Sequence, residues 1–138
     1  MFIFNPPHNM LKNKNILITG ASDGIGKCCA ETFASYGATL VLLGRSQEKL
    51  EKIYDSIEQK YPKKVIIQPL NFESAVEADY KVLADSISDQ LSSLDGIIHN
   101  AGILGARSPI EFYSAEDWNK TIQVNVSAPF LLTKVLLG

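Results

Sequence analysis

Three glycines behind a short aliphatic run carry the most chemistry in this sequence. Asn15-Ile-Leu-Ile-Thr19 leads directly into Gly20-Ala-Ser22-Asp23-Gly24-Ile25-Gly26, and an amphipathic helix is expected from Ile25 to Tyr36. Such a strand–turn–helix can cradle the diphosphate of a dinucleotide. Gly20 allows a sharp exit from the strand, Gly24 lets bare main chain approach an anion, and Gly26 permits close helix–strand packing. The free N–H groups and the dipole of the first helical turn would face that anion. Taken alone, a glycine triplet equally describes a tight βα turn. A nucleotide-triphosphate loop is excluded, because Ala21 stands where its first glycine belongs and Cys28, not Ser or Thr, follows Lys27. Lys27 reads as a solvated residue of the first turn.

Further candidates follow at the ends of later apolar runs. Thr39-Leu-Val-Leu-Leu43 ends in Gly44-Arg45-Ser46. An acid here would bond a ribose 2′-hydroxyl, whereas the Arg45 guanidinium suits a 2′-phosphate, which favours NADP over NAD. Asp23 argues mildly the other way, and a solvated Arg45 at a helix start is the plainer alternative. Leu70-Asn71-Phe72 offers an amide that either caps the next turn or accepts from an adenine amino group. His99-Asn100-Ala101-Gly102 places small residues where ribose and nicotinamide could lie against main chain, and Asn100 can tie this strand to its neighbours. His99 reads as a packed, hydrogen-bonded histidine rather than a proton shuttle. Asn125 lies four residues before Pro129, which cannot donate the helical bond to its carbonyl. The helix should kink there and leave a buried carbonyl that wants a water. Asn125 is then either a satisfied buried amide or a water anchor beside an active site.

The elements that must position these residues alternate. Strands are expected at Ile16–Thr19, Thr39–Leu43, from Val65, and from Leu94 to Ile98. A helix capped by Ser46 runs to about Tyr61 and stops at Pro62. Ser74-Ala-Val-Glu77 reads as a capping box opening a third helix, and Ser114 starts a last helical region reaching the end of the chain. Runs buried on both faces imply right-handed βαβ units and an α/β, doubly wound parallel sheet. Residues 1–13 read as an irregular tail before a single domain over 14–138.

Composition bounds the partners. With 138 residues and a formal charge of −2, the chain can bury a core but offers no basic cluster for nucleic acid. No segment is long and apolar enough for a bilayer, and Met1-Phe-Ile-Phe is too short for a signal segment. Adjacent Cys28 and Cys29 diverge on a helix, so neither a disulfide nor a metal site is expected; both read as small core or near-core residues of a reduced compartment, by default the cytoplasm.

Taken in order, the glycine motif, the Gly44-Arg45 ending, His99-Asn100-Ala101-Gly102 and Asn125 resemble the short-chain dehydrogenase/reductase family, in local wording a bacterial oxidoreductase branch of it. The resemblance covers nearly all of the chain after the tail. It implies the amino-terminal part of a Rossmann fold, an NADP cofactor and a small alcohol or carbonyl substrate. The implied cofactor-binding residues are Thr19, Gly20, Ser22, Asp23, Gly24, Ile25, Gly26, Arg45, Ser46, Asn71, Phe72, Asn100, Ala101 and Gly102. Asn71 stands where the family has an aspartate, and His99 where it has asparagine. Asn125 matches the Asn of the catalytic tetrad, whose main-chain carbonyl holds a relay water.

The family's catalytic Ser and Tyr-x-x-x-Lys are missing. The tyrosines at 36, 54, 61, 80 and 113 have Leu40, Glu58, Val65, Ala84 and Asp117 four residues on, and none of these is Lys. A tyrosine needs a nearby cation to exchange a proton at neutral pH. The sequence therefore supports an NADP-dependent oxidoreductase whose cofactor half is carried here and is inactive alone. A non-catalytic dinucleotide-binding or interaction module, or the product of an interrupted gene, stands as the alternative. On the first reading strand four is an unpaired edge, and Phe130, Leu131, Leu132, Val135 and Leu136 are exposed in part. Homo-oligomerisation or a complementing carboxyl-terminal fragment would cover them.

Overall fold

The computed structural model describes residues 5–61 and 64–137. Four parallel strands, β1 (Asn15–Thr19), β2 (Thr39–Gly44), β3 (Val65–Pro69) and β4 (Gly96–Ile98), form one sheet in the order β3-β2-β1-β4. In register Leu17 lies between Val41 and Ile97. This is the first part of a Rossmann fold, with the order reversing beside β1. Helices α1 (Gly24–Ser35), α2 (Gln47–Lys60) and α3 (Glu77–Ser88) follow the first three strands. After β4 come a 3-10 turn (Ile110–Phe112), α4 (Ala115–Ile122), a π-helical stretch (Gln123–Ser127) and α5 (Ala128–Leu136).

Alternation along β1 and β2 divides the core in two. Ile16, Ile18, Leu40 and Leu42 pack with residues of α1 and α2, while Leu17, Val41 and Leu43 face those of α3 and α5. Burial of β2 on both faces was expected of its unbroken apolar run, and the sheet shows it there and in β1 as well. Helix α1 buries Gly26, Ala30 and Ala34, a small-residue stripe four apart that lets it lie close to the strands. Cys28, two residues beyond Gly26, therefore points to solvent, and only Cys29 packs against the core. That corrects the expectation that both are core or near-core residues.

Three helix starts separate what local sequence can and cannot specify. Ser46 caps α2 and Ser114 caps α4, each accepting an N–H from three residues on. Ser74 does not cap α3. That helix starts at Glu77, and the Asp79 carboxylate accepts the Val76 N–H at 2.8 Å. Ser74 is instead held in a turn by the Asn71 carbonyl, which accepts its N–H at 3.2 Å, so its hydroxyl sits two residues before the cap position at Val76. Pro62, expected to end α2, lies outside the described residues. Before β1, Leu11 packs on the first core cluster and donates its N–H to Tyr36 O at 3.0 Å.

The flank beyond β4 is different. Among the described residues β4 pairs with β1 alone, and Asp95 fastens its start by accepting from Lys14 Nζ and from the Asn15 N–H, both at 2.8 Å. These bonds hold the Asp95 carboxyl below the ordinary aspartate value. On α5, Phe130 is 64% exposed, but Leu132 is fully buried between α3 and the sheet. Leu132 thus departs from the partial exposure expected of it, because Ala128 and Leu132, four apart, form the inward stripe. No described helix is long and apolar enough to cross a membrane.

Candidate functional site

Two side chains lock the carboxyl ends of β1 and β4 together, and a main-chain bond ties β1 to β2. Thr19, almost fully buried, accepts at Oγ1 from the N–H groups of Asn100 and Ala101, both at 3.0 Å. Asn100 Nδ2 donates to the carbonyls of Thr19 at 3.0 Å and Gly20 at 3.2 Å. The Ala21 N–H reaches Leu43 O at 3.1 Å. Every main-chain polar group so named would cost free energy if buried unpaired, so this junction is rigid. The tie that Asn100 was expected to make is observed.

Each glycine of the cluster does a distinct job. Gly20 takes φ +64°, and a Cβ there would press on Asn100 and Ala101. At Gly26 a Cβ would collide with the Gly20 carbonyl and the Asn100 amide, so α1 can approach the turn only without a side chain. Gly24, at φ +50°, is the reverse: a Cβ would meet nothing of the protein within 4 Å. Its bare backbone faces open space at the start of α1. Asp23 caps that helix by accepting the Gly24 N–H at 2.8 Å, leaving the next first-turn N–H groups without intrahelical acceptors. Donors, an aligned helix dipole and clear space are what an anion needs. A diphosphate fits this cradle.

From the cradle a cleft of about 400 Å³ runs across the ends of β2 and β3. Its lining brings together Gly20, Ser22, Asp23, Arg45, Ser46, Asn71, Phe72, Ala101 and Gly102. Thr19 and Asn100 stand behind this lining as its scaffold, Gly26 packs inward, and Ile25 is 75% exposed on the outer side of the helix start. Asn71 Oδ1 accepts the Glu73 N–H at 3.1 Å, the turn-capping alternative for this amide. Phe72 stacks on Tyr80 with ring centroids 6.0 Å apart, which fixes the wall beside Asn71. The Tyr80 hydroxyl is buried and has no hydrogen-bond partner, and burial pushes its pKa up.

Lys49, Leu70, Glu73, Ile103 and Val124 also line the cleft, and the sequence reading missed them. Two had readable signals. Lys49 follows the Ser46 cap by three residues, which places it in the first turn of α2. Glu73 follows Asn71 by two, the spacing of an Asx turn. The electrostatics are set by these additions. Arg45 Nη1 lies 3.4 Å from Glu73 Oε1, and Lys49 Nζ lies 3.8 Å from Asp23 Oδ2.

Asn125 was expected at a kink, either as a satisfied buried amide or as a water anchor beside an active site. The distortion caused by Pro129 takes another form: a π-helical stretch in which the Ala128 N–H bonds Gln123 O, five residues back. Asn125 is exposed, and its side chain grips the backbone of Ile103, accepting its N–H at 2.9 Å and donating to its carbonyl at 2.8 Å. It thereby fixes the loop after β4, of which Ile103 and Gly102 line the cleft. His99 faces away from the cleft and pairs with Thr133 Oγ1 at 2.9 Å, and burial lowers its pKa, so the ring is neutral at pH 7. The hydrogen bond is as expected, but His99 is exposed rather than packed, because it stands just past the end of the edge strand β4. Among the described residues no cluster of His, Cys, Asp or Glu could hold a metal ion.

Comparison with known proteins agrees with this geometry. Residues 14–138 match the family described as short chain dehydrogenase. The uncharacterized oxidoreductase YciK of Escherichia coli K12 is 39% identical over 134 residues, which is 97% of this chain and 53% of that protein. A short chain dehydrogenase structure from Pseudomonas syringae superposes with TM-score 0.94 at 39% identity, covering 99% of this chain and 56% of that one. Another, from Escherichia coli CFT073 and complexed with NADPH, gives TM-score 0.92 at 40% identity over 96% of this chain and 55% of that one. The chain spans about half the length of the curated relatives it matches.

Proposed function

The chain belongs to the short chain dehydrogenase family, and from that premise we propose that it binds NADP(H) in the cleft at the ends of β1, β2 and β3. One observation carries the reading: the start of α1 presents capped but open backbone at Gly24, with Arg45 at the end of the next strand. The main chain from Gly20 to Gly26 holds the diphosphate. Arg45, with Ser22 and Ser46, takes the 2′-phosphate, and Asn71 with Phe72 forms the adenine side. Ala101 and Gly102 let the second ribose lie against backbone. The NADPH held by the Escherichia coli CFT073 relative supports the phosphorylated nucleotide over NADH.

The reaction in which this half takes part is hydride exchange between NADP and a small alcohol or carbonyl compound, the nicotinamide supplying the hydride chemistry. Asn125 contributes by fixing Ile103 and by offering its main-chain carbonyl to a water of the proton relay. Turnover needs a Ser and a Tyr–Lys pair that these residues do not contain. A non-catalytic dinucleotide-binding module is the alternative reading. In either case the surface past β4 seats a second copy or a complementing carboxyl-terminal fragment. Titrating the purified chain with NADPH and NADH by fluorescence tests the proposal. NADPH should bind tighter, and Arg45→Ala should abolish the difference. Equal affinities, or an NADH preference that survives Arg45→Ala, contradicts the 2′-phosphate assignment. A ketone-reducing turnover by the chain alone contradicts its dependence on residues it lacks.

A further inference from the structure

The rim of the cleft carries two cations, and each already has a carboxylate. Arg45 sits 3.4 Å from Glu73, and Lys49 sits 3.8 Å from Asp23. All four residues line the cleft, yet they come from four separate places: the ends of β1, β2 and β3 and the first turn of α2. The rim is therefore neutral in sum before any ligand arrives. Glu73 is not a loose surface acid, because Asn71 Oδ1 holds its N–H at 3.1 Å and its side chain is 35% exposed against 74% for Arg45.

We propose that Glu73 is a specificity-determining residue that competes with the nucleotide 2′-phosphate for the Arg45 guanidinium. The proposal rests on the reading of the cleft as an NADP(H) site. A phosphate is a stronger, two-pronged acceptor for guanidinium than an exposed carboxylate at 3.4 Å, so it wins the exchange. It does so only after breaking the existing pair. NADH has no group that needs the guanidinium, and its free 2′-hydroxyl can donate to Glu73. The carboxylate thus narrows the preference that Arg45 alone would create. Asp23 acts likewise on Lys49, more weakly at 3.8 Å.

The measurement is the ratio of NADPH to NADH dissociation constants for the full chain and four variants at one ionic strength. Glu73→Gln should tighten NADPH by about three- to tenfold and leave NADH within twofold, as expected for an ion pair near a surface. Asp23→Asn, which keeps the helix cap, should tighten NADPH by about twofold. In the Arg45→Ala background the gain from Glu73→Gln should fall below twofold, because the residue acts through Arg45. Circular dichroism establishes that each variant is folded. A ratio that moves less than twofold in Glu73→Gln overturns the proposal, as does equal tightening of both nucleotides or a gain that persists without Arg45. If the unaltered chain binds neither nucleotide, the reading of the cleft falls and this proposal with it. If it binds both and only the ratio fails to move, the exchange alone is wrong.

Discussion

The carboxyl ends of the central strands and the flank beyond β4 are finished very differently. At the carboxyl ends of β1 and β2, Thr19 and Asn100 satisfy main-chain groups, and the packing around Gly20 and Gly26 leaves no room for a side chain. On the flank beyond β4, a three-residue strand has no outer partner among the described residues, and α4, the π-helical stretch and α5 expose Trp118, Val126 and Phe130. The first region is closed by its own side chains and main chain. The second buries apolar surface only on its inner side. On the proposed function, the contrast separates cofactor binding, assigned to the closed region, from chemistry, assigned to residues beyond it.

Replacing Gly26 by Ala tests the closed region most severely. The new methyl must displace the Gly20 carbonyl or Asn100, so unfolding free energy should fall by about 3 kcal/mol or more. Gly24→Ala should cost only about 1 kcal/mol, from its left-handed backbone, yet weaken NADPH by about tenfold because the methyl enters the ligand's space. Chemical denaturation and nucleotide titration of both variants check this; equal effects on folding would mean that the two glycines are not functionally distinct. The open flank has its own pair. Leu132→Ala should destabilise by about 2–4 kcal/mol, and Phe130→Ala, one turn face away, by less than about 0.5 kcal/mol. A large loss at Phe130 in dilute solution would show that the outer face is already covered.

Smaller effects sharpen the contrast. Tyr80→Phe removes a buried hydroxyl with no partner while keeping the stack on Phe72, so stability should hold or rise by up to about 1 kcal/mol. A clear loss would reveal a partner for that hydroxyl. At the start of β4, the Asp95 carboxyl is lowered by Lys14 and the Asn15 N–H. A carboxylate whose folded value is lowered stabilises fully above its unfolded value of about 3.9, and that contribution disappears as pH falls through the folded value. Asp95→Asn should therefore flatten the acid side of a stability–pH profile. An unchanged acid slope would mean the tie to β1 is not present in solution.

Much of the closed region was legible because its constraints are local. The spacing of Gly20, Gly24 and Gly26 encodes the turn, and the unbroken run at 39–43 encodes burial on both faces. Arg45 could be singled out from its place after β2, but its partner Glu73 belongs to another loop and could not be paired with it. Helix register decided Cys28, since Gly26, Ala30 and Ala34 claim the inward face. Ser74 failed as a cap because Asn71 captured its turn first. At Asn125 proline correctly marked a broken helical bond, but the repair by a π-helical stretch and the grip on Ile103 depend on a loop more than twenty residues away in sequence. Local chemistry can be read from the chain; the partner across a loop cannot.

The central claim is that main-chain amides at the start of α1 hold a dinucleotide diphosphate. A crystal structure of the chain with NADPH tests it most directly. The account predicts phosphate oxygens within hydrogen-bonding distance of the amides between Gly20 and Gly26, with the 2′-phosphate at Arg45. A well-ordered nucleotide seated elsewhere, or an empty crevice in crystals grown at saturating NADPH, would contradict it.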